Sequence, residues 1–318
     1  MLREVYSLNR EELRSIIKGV IATVPTPFKE DYQVDYGRMT EATHQWIESG
    51  VVNGKSIIKV AAAMGEGTAL TEHEWSTVIK AVVQAADGRV PVMAAIHYKD
   101  TIRVIQDAKI ASDLGVIGLQ ISPPIFNHPT VEDMLRHFDT ISDNIDIGIL
   151  VYNTHWLPGG AIYPDTFRKM SDFEKVVAIK WSPPKGCEYE DIFELKGIFN
   201  IIDNADRPVD CGRLGGHGFV SDGISAYPSF YIDVWDMILS GKYEEAEARW
   251  NKVVRPLRKI SHDWMEISGG EGSFEKALQE NMGINMGPPR PPSIQVDSIY
   301  MAKLKEAMID WGWPVPDR

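Results

Sequence analysis

From Gly19 onward the chain alternates two kinds of apolar pattern. Short, nearly unbroken runs rich in β-branched residues lie at 20–24, 56–60, 90–96, 117–121, 147–152, 176–180, 199–202 and 219–221. Runs without polar interruption suit parallel strands covered on both faces. Between them, apolar residues recur at helical spacing. Thr71-x-x-Glu74 has the form of a capping box and leads into Trp75, Val78, Ile79, Val82 and Ala85 on one stripe. Thr101 opens a second helix, with Ile102, Ile105, Ala108, Ala111 and Leu114 as its apolar face and Gly115 as its stop. Residues 35–50 repeat the scheme with Met39, Ala42, Trp46 and Ile47. Residues 206–218 are the weak link, because Pro208 and four glycines interrupt any helical pattern.

Eight strands in strict alternation with helices predict an α/β fold, a (β/α)8 TIM barrel. An open doubly wound sheet shares this rhythm, and periodicity does not separate the two. After Ser221 helical patterns continue at 227–239, 243–260, 274–282 and 297–311, more helix than a last barrel turn needs. The reading is therefore a (β/α)8 barrel over 19–240 with a C-terminal helical extension over 241–318, interrupted by the Pro288-Pro289-Arg290-Pro291-Pro292 loop. Residues 1–18 form an N-terminal helical extension, in which Asn9-x-x-Glu12 caps a short helix carrying Leu13, Ile16 and Ile17.

Charge and composition narrow the partners. A formal net charge of −12 leaves no basic footprint for nucleic acid. No apolar run approaches the ~18 residues of a membrane span. Residues 1–17 mix charges with scattered apolar residues and have no signal-peptide core. Cys187 and Cys211 show no metal-ligand spacing, and two thiols in a chain this long fit a reducing compartment, so a cytoplasmic location is expected.

Catalytic groups of such barrels lie at the carboxyl ends of strands. Three runs end in polar residues: Ile96-His97, Tyr152-Asn153 and Ile179-Lys180. A lysine closing Val-Val-Ala-Ile either snorkels outward or holds its amine among apolar walls. In the second case desolvation leaves part of it neutral, able to attack a ketone and form an iminium. Tyr152 either packs under a loop or shuttles protons beside that lysine. The small residues of Ala61-Ala62-Ala63-Met64-Gly65-Glu66-Gly67 let backbone amides point at a carboxylate. Gly269-Gly270-Glu271-Gly272 follows no strand and is not read as a phosphate loop. His97, His155 and His217 lie near strand ends or loops without metal-binding spacing, and no Gly-x-Ser-x-Gly elbow occurs.

Together these pieces resemble the dihydrodipicolinate synthase / N-acetylneuraminate lyase family of class I aldolases. The resemblance covers nearly the whole chain from Gly19 to Pro292, carried by Pro25-Thr26-Pro27-Phe28, Gly65-Glu66 with Ala69-Leu70-Thr71, Val151-Tyr152-Asn153, Ile179-Lys180 and the proline-rich stretch. It implies Lys180 as the imine-forming lysine and Tyr152 as the catalytic tyrosine. It also implies a 2-oxo acid such as pyruvate bound covalently, no metal or organic cofactor, and a homotetramer or homodimer.

The departures matter as much. The family's Gly-Thr-Thr-Gly-Glu stands here as Ala62-Ala63-Met64-Gly65-Glu66, leaving only the backbone amides of Ala63 and Met64 for a carboxylate. The synthases relay protons through that threonine to a second tyrosine from a neighbouring subunit. Ala63 and Phe126 occupy those places, with His97 or His155 as candidate replacements. Where the synthases place an arginine, this chain has Leu157. Met64, Phe126, Trp156 and Trp181 predict a bulky or apolar substrate substituent, with Gly65, Asn153, His155, Leu157 and Val220 as further contacts. Three readings follow. The first is a lyase of the aldolase or hydratase-aldolase type, not a true dihydrodipicolinate synthase. The second is a dehydratase, hydratase or deaminase using the same iminium. The third is a barrel that binds a 2-oxo acid without turnover.

Overall fold

The computed structural model describes residues 8–97 and 99–317, so the first seven residues of the N-terminal extension lie outside the described residues. Eight parallel strands close into a barrel in sequence order, which removes the open-sheet alternative. They are β1 (Gly19–Thr23), β2 (Ser56–Val60), β3 (Val92–Ile96), β4 (Gly118–Ile121), β5 (Gly148–Tyr152), β6 (Val176–Trp181), β7 (Asn200–Asp203) and β8 (Gly218–Phe219). Each coincides with an expected run to within about two residues, the ordinary uncertainty of element ends.

Alternation along the strands sorts side chains into two cores. Ile21, Ile57, Met93, Leu150, Ala178, Ile202 and Val220 fill the barrel interior. Their neighbours Ala22, Ile58, Ala94, Leu119, Ile149, Ile179 and Phe219 belong to the layer between barrel and helices. The amino-terminal end is plugged by helix α1 (Arg10–Ile16), whose Leu13, with Ile17 just after the helix, joins the inner cluster. Glycine at the start of β4 and of β5 makes room for the plug: a Cβ on Gly118 or Gly148 would lie 2.8 or 2.5 Å from Ile17 Cδ1.

Helices α2 (Tyr36–Glu48), α3 (Glu72–Ala86), α4 (Thr101–Asp113), α5 (Val131–Asp143), α6 (Pro164–Lys169), α7 (Pro208–Arg213) and α8 (Pro228–Leu239) surround the barrel, with a 3-10 helix (Tyr189–Leu195) between β6 and β7. Two details depart from the sequence reading. Residues 206–218 do contain a helix, α7, because Pro208 sits at its first position, where its missing N–H costs nothing. Ile102 is 62% exposed, since Val104, Ile105, Ala108 and Ala111 set the buried face of α4. Three further helices follow: α9 (Tyr243–Ser268), longer than expected, α10 (Glu271–Asn281) and α11 (Ser298–Asp310). Phe274, Leu278, Leu304 and Met308 from α10 and α11 share the outer core with the barrel helices.

Among the described residues no helix is long and apolar enough to cross a membrane.

Candidate active site

β5 and β6 bring the two central side chains together. Ile149 pairs with Val176, but Leu150 pairs with Ala178, so β6 holds one extra residue at Val177. From there the register runs Val151 to Ile179 and Tyr152 to Lys180. Val177 and Ala178 both reach the inner cluster, and the residues beyond are shifted by one face. Without that shift Lys180 would have pointed into the helix layer. Its Nζ instead lies 3.8 Å from the centroid of the Tyr152 ring.

Both residues line a cavity of about 260 Å³ at the carboxyl end of the barrel. Ser182 after β6, Asn204 and Asp206 after β7, and Val220, Ser221 and Asp222 at the end of β8 form its walls. His155 and Trp156 close it from the loop after β5, and Met64 from the loop after β2. Arg258 of α9 and Glu271 of α10 complete it from the C-terminal extension.

The Lys180 amine is almost fully buried. Burial lowers its pKa to about 8, against the upward pull of Glu271 and then Asp222. At about pH 7.5 roughly a quarter of a lysine of pKa about 8 is neutral, against about one in a thousand for an ordinary one. A second lysine, Lys59 of β2, is entirely enclosed, its Nζ donating to Gln120 Oε1 at 2.6 Å. Burial, then Lys180, holds its pKa well below the ordinary value. Sequence reading passed over Lys59, although it shares the inward parity of Ile57 within its strand.

Arg258 ties down two of the acids, its Nε 2.7 Å from Asp206 Oδ2 and its Nη1 2.7 Å from Asp222 Oδ2. Ser221 Oγ is buried and, among the described residues, has no protein partner. The loop after β2 needs glycine at one point: a Cβ on Gly67 would meet the Ala61 carbonyl oxygen at 1.8 Å. Within that loop the Gly65 and Glu66 amides donate to the carbonyls of Ala62 and Ala63, both at 3.0 Å. The amides of Ala63 and Met64 donate to no protein acceptor among the described residues.

The expected site residues divide accordingly. Lys180, Tyr152, Met64, His155, Trp156 and Val220 line the cavity. Asn153 does not: it is fully buried, its amide donating to the carbonyls of Ile162 and Ser182 at 3.1 and 3.2 Å, so it braces the loop. Leu157 and Gly65 also lie outside the wall, and Gly65 accepts from Thr26 Oγ1 at 2.7 Å. The Ala63 side chain is exposed. Trp181 follows Lys180 and so faces outward, its indole donating to the Tyr189 carbonyl at 3.0 Å. Phe126 is 88% exposed on a separate surface cleft shared with Ile102. Of the four residues behind the expected apolar pocket, Met64 and Trp156 line this cavity and Phe126 and Trp181 do not, and polar and charged side chains together make up most of its wall. His97 lies outside this cavity, facing another one beside Trp75 and Lys99. Burial, then Lys180 and Lys59, lowers its pKa to about 4, so its imidazole is neutral at pH 7. His155 Nε2 lies 3.1 Å from Ser182 Oγ.

Asn204, Asp206, Asp222, Arg258 and Glu271 were not singled out as site residues. The signal was weakest for Arg258 and Glu271, which arrive from helices far along the chain. Among the described residues no group of three or more His, Cys, Asp or Glu side chains is arranged to hold a metal ion.

Comparison with known proteins agrees with this architecture. A 4-hydroxy-tetrahydrodipicolinate synthase of Methanococcus maripaludis is 28% identical over 297 residues, covering 93% of this chain and 99% of that protein. One from Clostridium novyi is 32% identical over 237 residues, covering 73% of this chain and 77% of that protein. The crystal structure of the dihydrodipicolinate synthase of Acinetobacter baumannii, complexed with pyruvate, superposes with a TM-score of 0.82 at 24% identity, covering 93% of this chain and 99% of that one. Enzymes of this kind use a covalent lysine–pyruvate imine and no external cofactor. The sequence profile of the Dihydrodipicolinate synthetase family matches residues 16–310, and the chain belongs to that family.

Proposed function

We propose that the protein is a Schiff-base lyase of the aldolase type acting on a pyruvate-like 2-oxo acid. The observation that carries this reading is the in-register pair of Tyr152 and Lys180, with the amine buried and partly neutral in a cavity. Lys180 attacks the ketone carbon. Tyr152, against which the amine packs, moves protons at the carbinolamine oxygen. The amides of Ala63 and Met64 hold the carboxylate, and Ser221 Oγ offers a further hydrogen bond.

The acceptor end takes a substituent that packs on Trp156 and Met64 and hydrogen-bonds to the polar wall. A second free carboxylate is disfavoured there, because Arg258 is engaged by two acids and Leu157 carries no charge. We therefore read the chain as a lyase other than a dihydrodipicolinate synthase. Incubation with pyruvate and aspartate semialdehyde, followed for the condensed product, tests that point, and ready condensation would refute it. A dehydratase or deaminase using the same iminium is the second reading, favoured by the carboxyl of Glu271 on the cavity wall. Release of an aldehyde with pyruvate separates the two. The exposed Ile102 and Phe126 of one surface cleft support assembly into a homodimer or homotetramer, measurable by light scattering. The imine itself is tested by borohydride trapping with pyruvate.

A further inference from the structure

The C-terminal extension delivers Glu271 to the cavity and holds it there from two sides. Glu271 opens α10 directly after Gly269 and Gly270. One turn further, the Lys276 ammonium is ion-paired with Glu66 at 2.6 Å, which joins α10 to the loop after β2. A Cβ on Gly272 would lie 2.4 Å from Glu66 Cγ, so helix and loop pack with no room between them. On the other side, Glu275 accepts from the Gly223 amide at 2.8 Å, joining α10 to the segment after β8. Fixed elements on both flanks set the position of Glu271 over the barrel mouth.

The titratable side chains of the cavity are Tyr152, His155, Lys180, Asp206, Asp222, Arg258 and Glu271. Lys180 is the nucleophile. Asp206 and Asp222 are both held by Arg258, each with a carboxylate oxygen 2.7 Å from its guanidinium, so both are turned toward that cation. His155 is engaged with Ser182 and lies on the outer loop. Tyr152 packs its ring against the amine and, in the reading above, serves the carbinolamine oxygen. Glu271 remains: among the described residues its carboxyl takes part in no ion pair and accepts no side-chain hydrogen bond. It is also the acid that acts most strongly on the Lys180 amine.

Resting on the Schiff-base reading above, we propose that Glu271 is the base that removes the C3 proton from the iminium formed on Lys180, and the acid that returns it. In the forward sense the C3–H bond breaks and the proton goes to the carboxylate. The C–H electron pair forms the C2–C3 double bond, and the iminium π pair returns to the Lys180 nitrogen, giving a neutral enamine. In cleavage the enamine left by the departing aldehyde takes the proton back at C3, and water then hydrolyses the iminium to free lysine and pyruvate. Burial and the neighbouring Asp222 raise the carboxyl's pKa above its ordinary value, with Lys180, Arg258 and Lys59 opposing, which makes it a stronger base than an exposed glutamate.

The test uses pyruvate alone as probe, with the wild-type protein and Glu271→Gln. Borohydride trapping read by intact mass reports the imine, and deuterium entry into the pyruvate methyl group in D2O, read by proton NMR, reports C3 proton transfer. The expected result is that Glu271→Gln is still trapped as the adduct while its methyl exchange falls roughly a hundredfold or more, within the span on the order of 10²–10⁴ that acid–base groups contribute. The acid limb of the exchange–pH profile is lost with it. Exchange within about threefold of wild type overturns the proposal, as does loss of trapping in a natively folded variant, which would place Glu271 in imine formation instead. If Glu271→Gln does not fold by circular dichroism, Glu271→Asp is read instead. It retains the acid limb at a lower exchange rate, and unaltered exchange again overturns the proposal. Absence of an adduct on the wild type removes the Schiff-base reading itself, whereas an adduct with undiminished exchange removes only the role of Glu271.

Discussion

Tyr152 and Lys180 stand side by side on adjacent strands because a single extra residue, Val177, shifts the register between β5 and β6. The shift turns the lysine inward and leaves its amine 3.8 Å from the centre of the tyrosine ring. The ring contact shields the amine from water, and the phenol lies within reach of whatever the amine captures.

Tyr152→Phe keeps the packing surface and removes the proton carrier. The initial rate of pyruvate adduct formation is expected to fall on the order of 10²–10³-fold, with the folded structure intact. Rapid-quench borohydride trapping measures that rate, and a rate near wild type would assign the proton transfers to another group.

Lys180→Met is expected to raise thermal stability at neutral pH. The folded-state pKa of about 8 lies below the unfolded value of 10.5, so the unfolded chain binds more protons between the two and stability rises with pH across that window. Below about pH 8 the cost of burying this amine is at most about 3 kcal/mol, and the methionine variant escapes it. Denaturation of both proteins at pH 7 and pH 10 checks the sign: the variant's advantage shrinks at the higher pH.

Arg258→Met leaves Asp206 and Asp222 without their shared cation, next to Lys180. Arg258 lowers the lysine's pKa and Asp222 raises it, so the substitution moves that pKa upward. The pH profile of adduct formation is expected to shift to higher pH, with its plateau retained. A profile that keeps its position would show that Lys180 does not sense these charges.

Lys276→Met breaks the ion pair that joins α10 to the loop after β2 and leaves Glu66 with the Arg290 amide as its remaining donor. Both partners are buried, so the expected loss is about 3–5 kcal/mol by urea unfolding. Adding Glu66→Gln is expected to recover part of it, because the two changes share one interaction.

The fold could be read from the sequence because parallel strands buried on both faces and amphipathic helices leave separate, periodic marks. The eight runs, the capping boxes of α3 and α1 and the C-terminal helices follow from such marks. The site was harder to read. Strict alternation counted from the start of β6 points Lys180 outward, and no residue in Val176–Trp181 announces the bulge. Trp181 was drawn into the pocket by its adjacency to Lys180, although the bulge that turns Lys180 inward sends the next residue to the helix layer. Glu271 and Arg258 were invisible for a different reason: only the docking of α9 and α10 over the barrel mouth brings them to Lys180. Phe126 was singled out because it stands where the synthases' second tyrosine falls, and in this chain it lies on the surface.

Everything proposed for this cavity depends on covalent chemistry at Lys180, which intact-mass spectrometry after incubation with pyruvate and borohydride reads out without any coupled assay. The wild type is expected to gain the mass of reduced pyruvate, and Lys180→Met to gain none. No gain on the wild type with pyruvate or with larger 2-oxo acids, or an equal gain on both proteins, would contradict that chemistry.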